Sequence, residues 1–299
     1  MTEFEKMALA LEQTGDYKVL RRLRAGGCVQ PHDGSPTRRG IILDIETTGF
    51  HPHGSVGVMP DEVIELAMLA FAFTDDFKIV DVVGRFQSFR EPTKPIPITV
   101  ERITGITDAM VKGHVIDLDE VSNFVAGTDL IIAHNAKFDR RFAEILHRAA
   151  FRDKDWACSW SQLDWSESGG GRLINIVNAA GMFHEAHRAL DDCHALLEML
   201  ARPLGPSGVP ALGQLVVAME KPTVRVWALG SPYDKKELLK SRNYRWNSGE
   251  DGGPKAWYVD VAEDAEAAEI AFLRSTIFGP NWEPRRSLIT ARDRFSDRG

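Results

Sequence analysis

"GIILDIETTG", residues 40–49, decides how this chain is built. Its apolar, β-branched residues predict a strand over 40–47, bounded by glycine. Side chains alternate across a strand, so Ile41, Leu43 and Ile45 share one face while Asp44 and Glu46 point together to the other. Two neighbouring carboxylates repel, and central strands of α/β sheets are apolar on both faces. Either this strand is a solvated edge, or a cation between the carboxylates removes the conflict.

Working outward, residues 62–74 (EVIELAMLAFAFT) and 78–87 (KIVDVVGRFQ) predict two more strands joined around Asp75 and Asp76. So short a connection makes them an antiparallel hairpin. After the loop at 91–98, "TVERITGITDAMV" and "DLDEVSNFVAG" predict short helices. "DLIIAHN" (129–135) is a fourth strand, "AKFDRRFAEILHRAA" (136–150) an amphipathic helix, and "DWACSW" (155–160) a short fifth strand. Two helices, "GRLINIVNAAG" and "ALDDCHALLEMLAR", complete an α/β unit with a mixed sheet.

"PLGPSGVP" (203–210) is rich in proline and glycine and marks a boundary. Beyond it the pattern restarts as a small βαββα module, with a hairpin closed by "SGEDGG" (248–253). The expected organisation is an N-terminal helical extension (1–37, two short helices), an α/β domain (38–202), a linker and helix (203–221), an accessory module (222–279) and a flexible basic tail (280–299).

Helical geometry places further carboxylates. On helix 136–150, Asp139 falls inside the arc of Phe138, Phe142, Ala143, Ile145 and Leu146. Arg140, Arg141, Glu144, His147 and Arg148 take the opposite side. A carboxylate is rarely buried unless it is paired, bonded to backbone amides or bound to metal. On the last helix, Asp192 sits at the edge of the arc of Cys193, Leu196, Leu197 and Leu200. Asp191, His194 and Glu198 take the solvated side. Asp44, Glu46, Asp139 and Asp192 thus converge as hard oxygen ligands suited to Mg²⁺ or Mn²⁺ rather than zinc. Carboxylate clusters holding two such ions serve phosphodiester hydrolysis.

Composition sets bounds on this reading. The 299 residues carry a net charge of −7, which argues against a protein that coats nucleic acid generally. The 3 cysteines are far apart and form no CxxC pair, so a disulfide framework or structural zinc is not expected. No apolar run approaches the ~20 residues of a membrane helix, and the N-terminus lacks a signal-peptide core. No membrane partner and a cytoplasmic location are therefore expected.

Three segments in order, "DIETTG" (44–49), "HNAKFD" (134–139) and "HRALDD" (187–192), resemble the exonuclease motifs of the DnaQ-like (DEDDh) 3′–5′ exonucleases. "PIPITVERITGIT" (95–107) resembles a further family segment, and the resemblance covers roughly residues 38–201. It implies a ribonuclease-H-like fold: a mixed five-stranded sheet flanked by helices. It makes Asp44, Glu46, Asp139 and Asp192 the ligands of two Mg²⁺ (or Mn²⁺). His187, which satisfies H-x-A-x-x-D where His184 does not, becomes the general base. Thr47, Thr48, Asn135 and Phe138 match substrate-contacting positions. The implied activity is release of nucleoside 5′-monophosphates from the 3′ end of DNA, single-stranded, in repair or proofreading. Nucleic acid 3′ ends are then the partner, with a DNA polymerase or repair complex beside them.

The same chemistry on RNA, or a non-cutting nucleic-acid-binding scaffold, are the rival readings. Completeness of the ligand set and base favours the enzyme. In the module, Trp227, Tyr233, Tyr244, Trp246, Trp257 and Tyr258 interleave with lysines and arginines. That pattern suits either base stacking or an aromatic core.

Overall fold

The computed structural model describes residues 1–54, 57–249 and 253–298, and the chain divides into two compact units, Met1–Val216 and Val217–Gly299. The first is built on a five-stranded sheet. Its strands are β1 (Thr37–Thr47), β2 (Val63–Thr74), β3 (Ile79–Phe89), β4 (Leu130–Ala133) and β5 (Trp156–Cys158), in the order β3-β2-β1-β4-β5. β1 is therefore central, not a solvated edge. It pairs antiparallel with β2 and parallel with β4, and β4 is parallel with β5. The ribonuclease-H-like class expected from the motifs is the observed one.

The core follows from the apolar run of β2, where Ile64, Leu66, Met68, Leu69, Phe71 and Phe73 have no exposed surface. A strand apolar on both faces must be covered on both. Helices α1 (Ala136–Phe151) and α2 (Ala189–Leu200) pack against the sheet. The register of β1 against β2 slips between Glu46 and Thr47. Such a bulge bends a strand and re-aims its side chains, here at the end that carries the acidic residues.

Three local expectations are corrected. The N-terminal segment forms one helix, Glu3–Gln13, with a capping box at Thr2. The second expected helix is instead a strand, Arg21–Arg22, parallel to Met182–Phe183. Long-range pairing there (Arg21 N–H to Gly181 O at 2.9 Å, Leu23 N–H to Phe183 O at 2.8 Å) overrides local propensity. Arg140 is fully buried: its guanidinium lies 5.4 Å from the Trp156 ring and bonds Glu144 and the Arg152 carbonyl. His194 is buried too, because α2 is covered on more of its circumference than its apolar arc. Burial, then the charge of Arg85, lowers its pKa.

The second unit has one strand more than expected. β6 (Thr223–Ala228), α3 (Lys236–Ser241), β7 (Arg245–Asn247), β8 (Ala256–Ala262), α4 (Glu266–Phe272) and β9 (Arg285–Ile289) form an antiparallel sheet in the order β9-β6-β8-β7. The βαββα pattern is thus completed to βαββαβ. Residues 250–252 of the expected hairpin turn lie outside the described residues. The tail expected to be flexible supplies β9 and then folds back: Arg294 donates to the carbonyls of Met219 (3.2 Å) and Lys221 (2.7 Å). The six aromatics divide between core and surface, with Trp257 partly buried against the core. Trp227 and Tyr244 are buried, and the Tyr244 hydroxyl is 2.9 Å from Glu269. Tyr233 and Trp246 remain exposed. Among the described residues, no helix is long and apolar enough to cross a membrane.

Truncation after Trp282 removes β9 and strips one side of β6 of its hydrogen-bond ladder. Loss of roughly 2 kcal/mol or more is expected, a fall of about 10 °C in the melting midpoint of this unit. Scanning calorimetry checks it; an unchanged midpoint contradicts the strand assignment.

Candidate active site

The acidic residues meet at the C-terminal end of the first unit's central strand. Asp44 and Glu46 project from the end of β1, on the face that does not carry Ile41, Leu43 and Ile45. Asp139 stands in the first turn of α1, 2% exposed, and its Oδ1 accepts the Ile45 N–H at 3.2 Å. That bond ties helix to strand between the two β1 carboxylates. Asp192, in the first turn of α2, has both oxygens engaged. Oδ2 accepts the His187 N–H at 2.8 Å and Oδ1 meets His184 Nε2 at 2.7 Å.

His187 is exposed, in the loop before α2, with φ 65°. A non-glycine residue in the left-handed region is strained and must be held there. The bond from its own N–H to Asp192 does this. Ligand atoms of Glu46, His187 and Asp192 lie within 4.8 Å of one another. The loop therefore brings the imidazole to the mouth of the acidic cluster, while Asp44 and Asp139 sit further inside.

Electrostatics show the cost of this arrangement. Burial, then the charges of Asp139, Asp192, Glu46 and Glu65, pushes the Asp44 carboxyl well above the usual range. Burial first, then Asp192 and Glu65, pushes Glu46 up to about 8, with Arg188 opposing. Asp139 also rises to about 8, mainly through burial, although the amide of Ile45 pulls the other way. Carboxyl groups so destabilised as anions are strong candidates for cation ligands.

Two contributors escaped the sequence reading. Glu65 faces Glu46 across the β1–β2 register and is fully buried. It accepts hydrogen bonds from Gln87 Nε2 (2.6 Å) and the Ala189 N–H (3.4 Å), securing the start of α2. A carboxylate within the apolar run of β2 was a legible signal, of the kind that singled out Asp139. His184, set aside on motif spacing, is the side chain that holds Asp192. Nothing in the spacing marks it, because the contact spans a strand end, a loop and a helix start.

The expected substrate-contacting residues are dispersed around this end. Thr47 and Thr48 are buried, and their hydroxyls shape the turn: Thr47 donates to Gly49 O at 2.5 Å and Thr48 to Asp61 Oδ1 at 3.1 Å. At Gly49 a Cβ would come within 2.5 Å of the Asp61 carboxylate, so the close approach requires glycine. Asn135 is exposed at the N-terminus of α1. Phe138 makes tilted ring contacts with Phe142 (4.9 Å) and Phe50 (6.0 Å) beside a pocket also lined by Asn135, Lys137 and Arg141.

Residues 41–200, more than half of the chain, match the RNase_T family, described as Exonuclease. The chain belongs to this exonuclease family. A protein named as a bifunctional exonuclease/endonuclease of Mycobacterium tuberculosis is 31% identical over 58% of this chain and 28% of its own length. PolC-type DNA polymerase III of Bacillus subtilis is 30% identical over 36% of this chain and 7% of its own. The chain thus spans under a third of these relatives. The solved structure of E. coli exonuclease I in complex with a dA16 oligonucleotide is 16% identical, with TM-score 0.46, covering 80% of this chain and 71% of that one.

Each raised carboxyl holds its proton more tightly folded than unfolded. The stability this contributes is complete below about pH 4 and is lost as pH rises toward 8, the value reached by Glu46 and Asp139. In EDTA, the melting midpoint of the first unit should fall between about pH 5.5 and about pH 8. Mg²⁺ should raise it more at the higher pH, and Asp139→Asn should flatten the decline. Scanning fluorimetry across this range checks it; a midpoint that climbs with pH refutes it.

Proposed function

We propose that this chain is a divalent-metal-dependent 3′–5′ exonuclease that shortens single-stranded DNA and releases nucleoside 5′-monophosphates. The observation that carries this reading is the convergence of Asp44, Glu46, Asp139 and Asp192, raised in pKa or hydrogen-bonded as a set, with His187 at the mouth of the cluster. An all-carboxylate donor set fits Mg²⁺ or Mn²⁺, two ions shared among the four residues. Bound there, they would supply an activated water and offset charge in an in-line displacement at phosphorus.

The protein's own groups do the rest. Asp139 is held by the Ile45 amide and Asp192 by His184 and His187, so both carboxylates keep their positions before substrate arrives. The His187 imidazole takes the proton of the attacking water. The terminal nucleotide rests against Phe138 and Phe50, with Lys137 and Arg141 supplying positive charge toward its phosphate. Thr47 and Thr48, whose hydroxyls are spent on the turn, act through the backbone. Asn135 offers its amide at the pocket rim. Similarity to PolC-type polymerase supports a place in DNA repair or replication, beside a polymerase or repair complex.

With Mg²⁺ or Mn²⁺, 5′-labelled single-stranded DNA should shorten from its 3′ end. EDTA or Asp44→Ala should abolish this. His187→Asn, chosen because asparagine tolerates the left-handed conformation, should lower kcat by roughly 10²–10⁴-fold. Matched DNA and RNA oligonucleotides run in parallel decide the sugar preference. Intact ends on both with the metal-loaded protein overturn the enzymatic reading.

A further inference from the structure

One exposed aromatic beside the site has no part in the chemistry above. β1, β4 and β5 run parallel, with Ile42, Ile132 and Ala157 in one row. The residues that follow them therefore leave the sheet at the same end: Asp44 and Glu46, then His134 and Asn135, then Ser159 and Trp160. Two strand spacings separate Trp160 from β1, about 10 Å. The intervening His134 is close enough to Asp192 for that charge to act on its ring.

Trp160 is 49% exposed, yet it is firmly held. Its backbone N–H donates to the His134 carbonyl at 3.1 Å, and its ring stacks on the His134 imidazole at 6.0 Å and 10°. The imidazole is itself locked, Nδ1 to Ser159 Oγ at 2.8 Å and Nε2 to the Gly171 carbonyl at 2.7 Å. A carbonyl only accepts, so Nε2 carries the proton and Ser159 donates to Nδ1. Gly171 passes so close that a Cβ there would lie 2.7 Å from the indole. The adjoining loop is anchored by the Trp165 indole N–H on the Ser159 carbonyl at 2.8 Å and by Gln162 on the Cys158 N–H at 2.7 Å. None of this packing consumes the outer part of the Trp160 ring.

We infer that Trp160 is a base-stacking platform for the substrate strand, taking a nucleobase one or two positions upstream of the released nucleotide. This rests on the exonuclease reading above. A rigid, half-exposed indole near a phosphodiester-cleaving centre suits any base, because every base presents a π-face. It also favours a single strand, since a paired and stacked base is not free to lie on it. His134 acts as the positioning residue: its two fixed nitrogens set the plane of the ring on which the indole rests.

The experiment is a cycle of two proteins and two substrates. On oligothymidylate with Mg²⁺, Trp160→Ala should raise KM about tenfold, the effect of one lost stack, with kcat changed less than KM. On an oligonucleotide whose upstream positions are abasic, wild type should show the raised KM and the substitution should add no further penalty. Trp160→Phe should recover most of the loss on the normal strand. An unchanged KM in Trp160→Ala overturns the proposal. So does an equal penalty on both substrates, which marks a structural defect. Fluorescence anisotropy of labelled oligothymidylate with Ca²⁺ keeps the two readings apart. A protein that cuts nothing, yet binds the strand less tightly after Trp160→Ala, defeats the exonuclease reading alone.

Discussion

Mutual repulsion among Asp44, Glu46, Asp139 and Asp192 is the force that the first unit is arranged to contain. Four carboxylates on three elements would separate if any of those elements were free to move. Each is restrained instead. β1 is the central strand, the Ile45 amide holds Asp139, and His184 and the His187 amide hold Asp192. Burial raises the cost of ionising them, and Arg188 acts as an opposing charge at Glu46. The fold thus gives up stability to keep a set of carboxylates together.

Strain is placed where it serves the same end. His187 adopts a left-handed conformation that costs free energy, and its N–H is fastened to one of the carboxylates it works beside. Asp192 and His187 are therefore positioned by one hydrogen bond. Glu65 extends the logic, since it faces Glu46 and also secures the first residue of α2. Removing either contact would disturb His187 and the carboxylate cluster together.

Much of this was legible in the chain. Alternation along β1 put Asp44 and Glu46 on one face, and helical geometry turned Asp139 and Asp192 inward. These inferences work because they concern residues within one regular element, whose period is set by backbone geometry. The inferences that failed concern covering. Arg140 and His194 lie on arcs that look polar, yet neighbouring elements close over them. The C-terminal arginines look like a solvated tail, yet residues 285–289 complete a sheet by pairing with β6, far back in sequence.

Taken alone, the sequence determined the strand and helix periods, the mixed sheet, and the identity of four inward carboxylates and one histidine. Those follow from local periodicity and from three short motifs. Only the tertiary structure decided which groups restrain them: His184 and the His187 amide on Asp192, and the Ile45 amide on Asp139. The physical reason is range. Side-chain periodicity is fixed within a few residues, whereas a hydrogen bond or ring contact between elements depends on strand order and register, which no single segment contains.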